Sequence, residues 1–177
     1  KNHPKRDRYV AFHPMWGTEN SGPKAAQKES FAGRAAVICD KEDSAKDALA
    51  LVEKVAENLE MNTIYMRSEA HDIHTAYISH ISHITSYALA NTVLEKEREE
   101  DTIFQLASSG FSSTVRLAKS HPEMWVPIFK QNKENVLDVL NEHITQLRKF
   151  KSALEKENYE LLEDLIRNAN KIRGILK

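Results

Sequence analysis

The sequence predicts a mainly α protein, all-helical in its C-terminal part and preceded by a short α/β segment. Three observations predict this. From residue 68 onward, apolar residues recur at helical spacing and no run reads as a strand. Between residues 35 and 66, two short strand-like runs flank a helical one. The 177 residues include only five Gly and five Pro, too few for a collagen-like or low-complexity chain or for the many tight turns of a β-sandwich. An apolar content of 41% supplies a real core. The single cysteine excludes an internal disulfide framework and a four-Cys zinc site. A net charge of -1 gives no global field toward nucleic acid or an anionic membrane. No apolar run approaches the roughly 18–20 residues that span a bilayer. These features read as a soluble, cytoplasmic protein. The chain starts at Lys1 rather than Met, and its natural N-terminus is expected upstream.

In chain order, residues 8–12 read as a strand and residues 13–22, with one Pro and two Gly, as a loop. Residues 1–34 carry seven Lys/Arg against three acids. This excess could favour an anionic ligand or simply be a solvated surface. Ala35-Ala-Val-Ile-Cys39 reads as a buried strand. Over residues 44–60, Ala48, Leu51, Val52, Val55 and Leu59 recur at helical spacing, with Ser44 as the expected N-cap. Residues 62–66 form a third short strand. A long helix then carries Ile73, Tyr77, Ile81, Ile84, Ala88 and Val93 on one face and runs into the charged stretch 95–101. Short helices follow at 102–108 and 113–119. Pro122 suits a helix first turn. Pro127 is expected to force a kink or restart, followed by a long helix from 127 to 154 and a last one over 158–172. Ile128, Val136, Val139, Leu140, Ile144, Leu147 and Leu154 need a covering surface, and a second subunit would complete such a bundle.

Four of the eight histidines fall at His71, His74, His80 and His83. The pair His80 and His83 shares a helix face. It reads either as hydrogen-bonded or surface histidines, as groups that bind or protonate an organic substrate, or as part of a metal site; the last lacks the usual i, i+4 spacing and a nearby Cys. Ser79 and Ser82 beside them lack an oxyanion loop for nucleophilic chemistry. Arg116, after the Ser/Gly-rich residues 108–114, is either a bidentate carboxylate clamp or a surface arginine with a packed stem. Trp125 reads as core or interface packing and Cys39 as a small buried apolar residue. Asn132 and Asn135 read as solvated helix residues, with facing a site as the alternative.

Five segments occur in a distinctive order: His13-Pro-Met-Trp-Gly-Thr-Glu19, Ser79-His80-Ile81-Ser82-His83, Gly110-Phe111 leading to Arg116, Ala118-Lys119-Ser120-His121-Pro122-Glu123-Met124-Trp125, and Asn132-Lys133-Glu134-Asn135. Together they resemble the second half of prephenate dehydrogenases, enzymes of tyrosine biosynthesis, over nearly the whole chain. The resemblance implies that residues 1–67 are the end of a Rossmann-type dinucleotide-binding domain and residues 68–177 a helical substrate-binding and dimerisation domain. It implies NAD-dependent oxidative decarboxylation of prephenate to 4-hydroxyphenylpyruvate in a homodimer joined by the C-terminal helices. His13 matches the catalytic histidine, which accepts the proton of the ring hydroxyl. Arg116 matches the arginine that holds a substrate carboxylate. Ser79, His80 and His83 match the helix lining the substrate pocket, Thr18 and Glu19 polar residues at its mouth, and Trp125 a tryptophan supplied by the neighbouring subunit.

Two departures accompany the resemblance. No Gly-x-Gly-x-x-Gly turn for a dinucleotide pyrophosphate occurs in the chain, so the chain is expected to be a fragment that binds NAD poorly and is inactive alone. The residue that would choose NAD over NADP is expected upstream. Trp16 stands where the family's His-Pro loop often has a small residue. Other readings are an arogenate dehydrogenase and a non-enzymatic helical dimerisation module.

Overall fold

The computed structural model describes residues 3–20, 22–98 and 102–176. A small sheet at the N-terminal end is followed entirely by helices, so the predicted fold class holds. The sheet has the order β1-β2-β3, with β1 Ala11–Pro14, β2 Ala35–Cys39 and β3 Asn62–Met66. β1 runs antiparallel to β2 and β3 parallel to it. Helix α1, Lys46–Asn58, makes the crossover between the parallel strands. Ala36, Ala56 and Met61 form the buried cluster beneath it, and Phe12 and Phe31 pack against them. Small side chains at Ala36 and Ala56, both wholly buried, let the helix lie close to the sheet.

The first strand starts later than its sequence suggested. Residues 6–8 form a single 3-10 turn. Arg6 bonds Asp43 at 3.3 Å and Arg8 bonds Asp47 at 2.6 Å, which draws this turn onto the start of α1. The strand therefore includes His13, whose Cα partner is Val37, and His13 is not in the loop. Pro14 is tolerated because β1 lies at a sheet edge. Ser44 does not cap α1. Its hydroxyl donates to the Tyr9 carbonyl at 3.0 Å, and Ala45 holds the N-cap position.

The long helix is continuous in backbone direction but not in pitch. It comprises α2 Ser68–Thr75, a π-helical turn Ala76–His80, and α3 Ile81–Glu97. A π turn inserts one extra residue, which rotates everything beyond it by roughly 100° relative to an unbroken helix. This is why the expected single apolar face splits. Ala76 and Ile81 are buried, with Val139 and Leu140 packed on them, whereas Ile73 and Tyr77 stay 44% and 45% exposed. The predicted continuation into residues 99–101 lies outside the described residues.

Residues 103–106 form only a 3-10 turn. Then come α4 Ser109–Thr114 and a 3-10 turn, Arg116–Lys119. Helix α5, Pro122–Gln131, runs straight through Pro127. The carbonyl that loses its partner there belongs to Glu123, one turn back, in an exposed stretch. The break falls instead at Asn132, before α6 Lys133–Glu155. Helix α7, Tyr159–Ala169, is capped by the Asn158 side chain, which accepts from the Leu161 N–H. Val136 and Val139 are buried within the chain, while Leu147, Leu154, Tyr159, Leu161 and Ile166 remain exposed.

Candidate active site

Alternation along β1 decides where His13 points. Phe12 turns toward the α1 core, so its neighbour His13 projects from the opposite face of the sheet, toward α2. There its Nδ1 lies 2.8 Å from His71 Nε2. The other nitrogen of His71, Nδ1, lies 3.0 Å from Asp72 Oδ1. The sheet and the helical part thus meet through two imidazoles and a carboxylate.

The π turn places Ser79 and His80, and the first turn of α3 places His83. His83 Nδ1 donates to the Ser79 carbonyl at 3.0 Å, leaving its Nε2 as an acceptor. His80 Nδ1 receives the Asn132 amide at 3.3 Å. The same amide donates to the Asp72 carbonyl at 2.7 Å, and Asn135 Nδ2 donates to Asn132 Oδ1 at 2.7 Å. Asn132 is thereby a fixed donor, and His80 presents Nε2–H. Trp125 stacks on His83 with ring centroids 3.4 Å apart, and is itself 7% exposed. Its indole Nε1 is buried without a hydrogen-bond partner.

Arg116 and Glu19 bind each other at 2.6 Å. The turn carrying Arg116 is anchored to α3 by Ser86, which is 1% exposed. The Ser86 hydroxyl donates to the Thr114 carbonyl at 3.1 Å and accepts the Ala118 N–H at 3.0 Å.

A cavity of about 1090 Å³ collects most of these groups. His13, Thr18, Ser79, His80, His83 and Trp125 all line it. Glu19 and Arg116 sit beside it, paired with each other rather than lining it. Trp125 lines the cavity of its own chain. Asn132, expected in solvent, lines the cavity. Trp16 lines it too while packing edge-on against Phe31 at 5.8 Å. Among the described residues, no group of three or more His, Cys, Asp or Glu side chains is placed to hold a metal ion.

The electrostatics lower the pKa of His13, His80 and His83. Burial, and secondarily His71, holds His13 below the ordinary histidine range. Burial, then His83, does the same to His80. His83 is lowered by burial, partly offset by its bond to Ser79, with Arg116 lowering it further. The Glu19 carboxyl is held low by its own backbone N–H and by Arg116. For all three histidines the unfolded chain takes up protons first. Stability is therefore full above a pH of about 6.5 and declines as pH falls below it. Melting curves between pH of about 7.5 and 5.5 should show a falling Tm; a flat Tm would mean the three imidazoles are not held neutral.

Sequence reasoning named His71 only as one of four clustered histidines and missed its pairing with Asp72, as well as Ser86 and the contacts of Asn132. The first was within reach, because His71-Asp72 opens the same helix that carries the other histidines. Ser86 gave no signal, since its role comes from a turn 28 or more residues away.

Two family profiles match this chain. Residues 67–168 match the prephenate dehydrogenase dimerisation domain, and residues 1–65 match the prephenate dehydrogenase nucleotide-binding domain. The chain belongs to the prephenate dehydrogenase family. Prephenate dehydrogenase of Bacillus subtilis is 29% identical over 96% of this chain and 46% of its own length. Cyclohexadienyl dehydrogenase of Zymomonas mobilis is also 29% identical, over 95% of this chain and 58% of its own. The crystal structure of prephenate dehydrogenase from Aquifex aeolicus, in complex with hydroxyphenyl propionate and NAD+, superposes with a TM-score of 0.85 at 32% identity, covering 96% of this chain and 59% of that one. The chain spans about half the length of the curated relatives it matches.

As a member of the prephenate dehydrogenase family, the chain can be tested for fit to a dinucleotide. The turn from β2 into α1 contains no glycine. Its Asp40 turns a carboxylate oxygen onto the Ser68 N–H at 3.0 Å. A pyrophosphate needs glycines that allow close backbone approach and free amides at the helix start. Lacking a glycine, this turn does not form such a cradle. No helix among the described residues is long and apolar enough to cross a membrane.

Proposed function

We propose that the chain supplies the substrate-binding and proton-accepting part of a cytoplasmic enzyme that oxidatively decarboxylates prephenate to 4-hydroxyphenylpyruvate with NAD. In this reading residues 1–67 complete the nucleotide-binding domain and residues 68–177 bind substrate and dimerise. Membership of the prephenate dehydrogenase family supports the substrate and NAD. The observation that carries the reading is His13, an imidazole with its Nε2 uncommitted, facing a cavity shared with His80, His83 and Trp125.

This chain's residues act on the substrate side. The ring hydroxyl donates to His13 Nε2, and the proton passes to that nitrogen as the hydroxyl carbon becomes a carbonyl. Only a neutral imidazole can accept it. Arg116 holds a substrate carboxylate, exchanging its bond to Glu19 for one to the ligand. His80 Nε2–H and the Trp125 indole N–H are donors for the substrate's oxygens. Thr18 lies on the same loop as Glu19, at the mouth. The exposed apolar residues of α6 and α7, among them Leu147, Leu154 and Ile166, are the surface on which a second copy completes the bundle.

Thermal stabilisation tests the reading. Prephenate or 4-hydroxyphenylpyruvate should raise Tm, and Arg116→Ala should abolish the rise. No rise with either ligand would leave a helical dimerisation module. A larger rise with arogenate than with prephenate would assign the amino-bearing substrate.

A further inference from the structure

We infer that His71 and Asp72 are positioning residues that set the tautomer of His13 and receive the proton it passes on. The inference rests on the reading of His13 as proton acceptor. A carboxylate only accepts hydrogen bonds, so Asp72 Oδ1, 3.0 Å away, requires hydrogen on His71 Nδ1. A neutral His71 then offers a lone pair at Nε2. That lone pair faces His13 Nδ1 at 2.8 Å, so hydrogen must sit on His13 Nδ1. The lone pair of His13 is left on Nε2, the nitrogen that must accept from a substrate hydroxyl. The opposite tautomer would set the His71 Nδ1 lone pair against a carboxylate.

The scaffold around this pair is tied down. Thr75 Oγ1 bonds the His71 carbonyl at 2.9 Å and the Asp72 carbonyl at 3.2 Å, and Asn132 Nδ2 bonds the Asp72 carbonyl at 2.7 Å. The two imidazole rings meet edge to face, 67° apart. These contacts fix the first turn of α2 against both β1 and the start of α6.

The proton count closes along this chain of bonds. When the ring hydroxyl gives its proton to His13 Nε2, the hydrogen on His13 Nδ1 can cross to His71 Nε2. His13 ends neutral and His71 ends as the cation. Its charge then lies beside the Asp72 carboxylate, whose side chain is 54% exposed.

Nitrogen NMR of the histidine side chains, recorded without substrate, tests this. His13 should carry hydrogen on Nδ1 and none on Nε2. His71→Leu should move it to a mixture of tautomers. His71→Gln places an amide oxygen close to the former Nε2 and should restore the original tautomer. In NAD reduction by the full-length protein, His71→Leu should lower kcat about tenfold, a part of the roughly 10²–10⁴-fold a positioned base contributes, with KM within about twofold, and His71→Gln should recover most of it. Hydrogen on Nε2 of wild-type His13, or a tautomer indifferent to His71→Leu, would overturn the inference whatever prephenate does. The predicted tautomers without any response to prephenate would instead remove the substrate reading.

Discussion

His13→Asn in the full-length protein is expected to cut turnover with prephenate by roughly two or more powers of ten, within the range a general base contributes. Asparagine keeps a similar volume and can still bond His71, so the strand and the seam between sheet and helix should survive. What it lacks is a basic lone pair at the position of Nε2. The loss should therefore fall on kcat, with a melting curve near that of the wild type. The pH profile adds a second reading of the same group. Burial and His71 hold His13 below the ordinary histidine value of about 6.5. Activity should accordingly fall only as pH drops below about 6.5, and the residual activity of His13→Asn should lack that acid limb. Wild-type turnover in the variant would remove His13 from the chemistry.

Arg116→Ala is expected to raise KM by roughly 10- to 100-fold with kcat changed little. A hydrogen bond to a charged group is worth about 1.5–3 kcal/mol, and about 1.4 kcal/mol is tenfold in affinity. The Ser86 anchor fixes the turn that carries Arg116, so the effect should belong to the lost guanidinium rather than to a shifted turn. Glu19, left without its partner, would add its negative charge to the mouth and oppose a carboxylate further. Steady-state kinetics decide the matter: an unchanged KM would leave Arg116 as a purely internal partner of Glu19.

Much of this site could be read before any coordinates. His13, Ser79, His80, His83, Thr18 and Trp125 were named from motif order, and all of them line one cavity. Strands β2 and β3 appear at the residues their apolar and β-branched content indicated. The failures have physical causes. Local propensity extended β1 backward through Arg8, but ion pairs to Asp43 and Asp47 pulled that segment away. Periodicity analysis assumes 3.6 residues per turn, so it could not see the π turn at 76–80 or the rotation that parts Ile73 and Tyr77 from the face that Ile81 continues. Asn132 looked like a polar residue inside a long helix. It is instead the break between α5 and α6, and a residue at a helix break is free to aim its amide inward. The bond of Arg116 to Glu19, 97 residues away in sequence, was not foreseen, because it is a tertiary event that spacing does not encode.

The contact between His13 and His71 has a mechanical consequence. The two rings ride on separate layers, one on the margin of the sheet and one on the opening turn of the long helix. A tilt of either layer by about an ångström would part nitrogens now 2.8 Å apart, beyond hydrogen-bond reach. Docking of the layers and arming of the base are then one event, so a ligand that wedges them apart would silence the enzyme without touching the place where substrate sits.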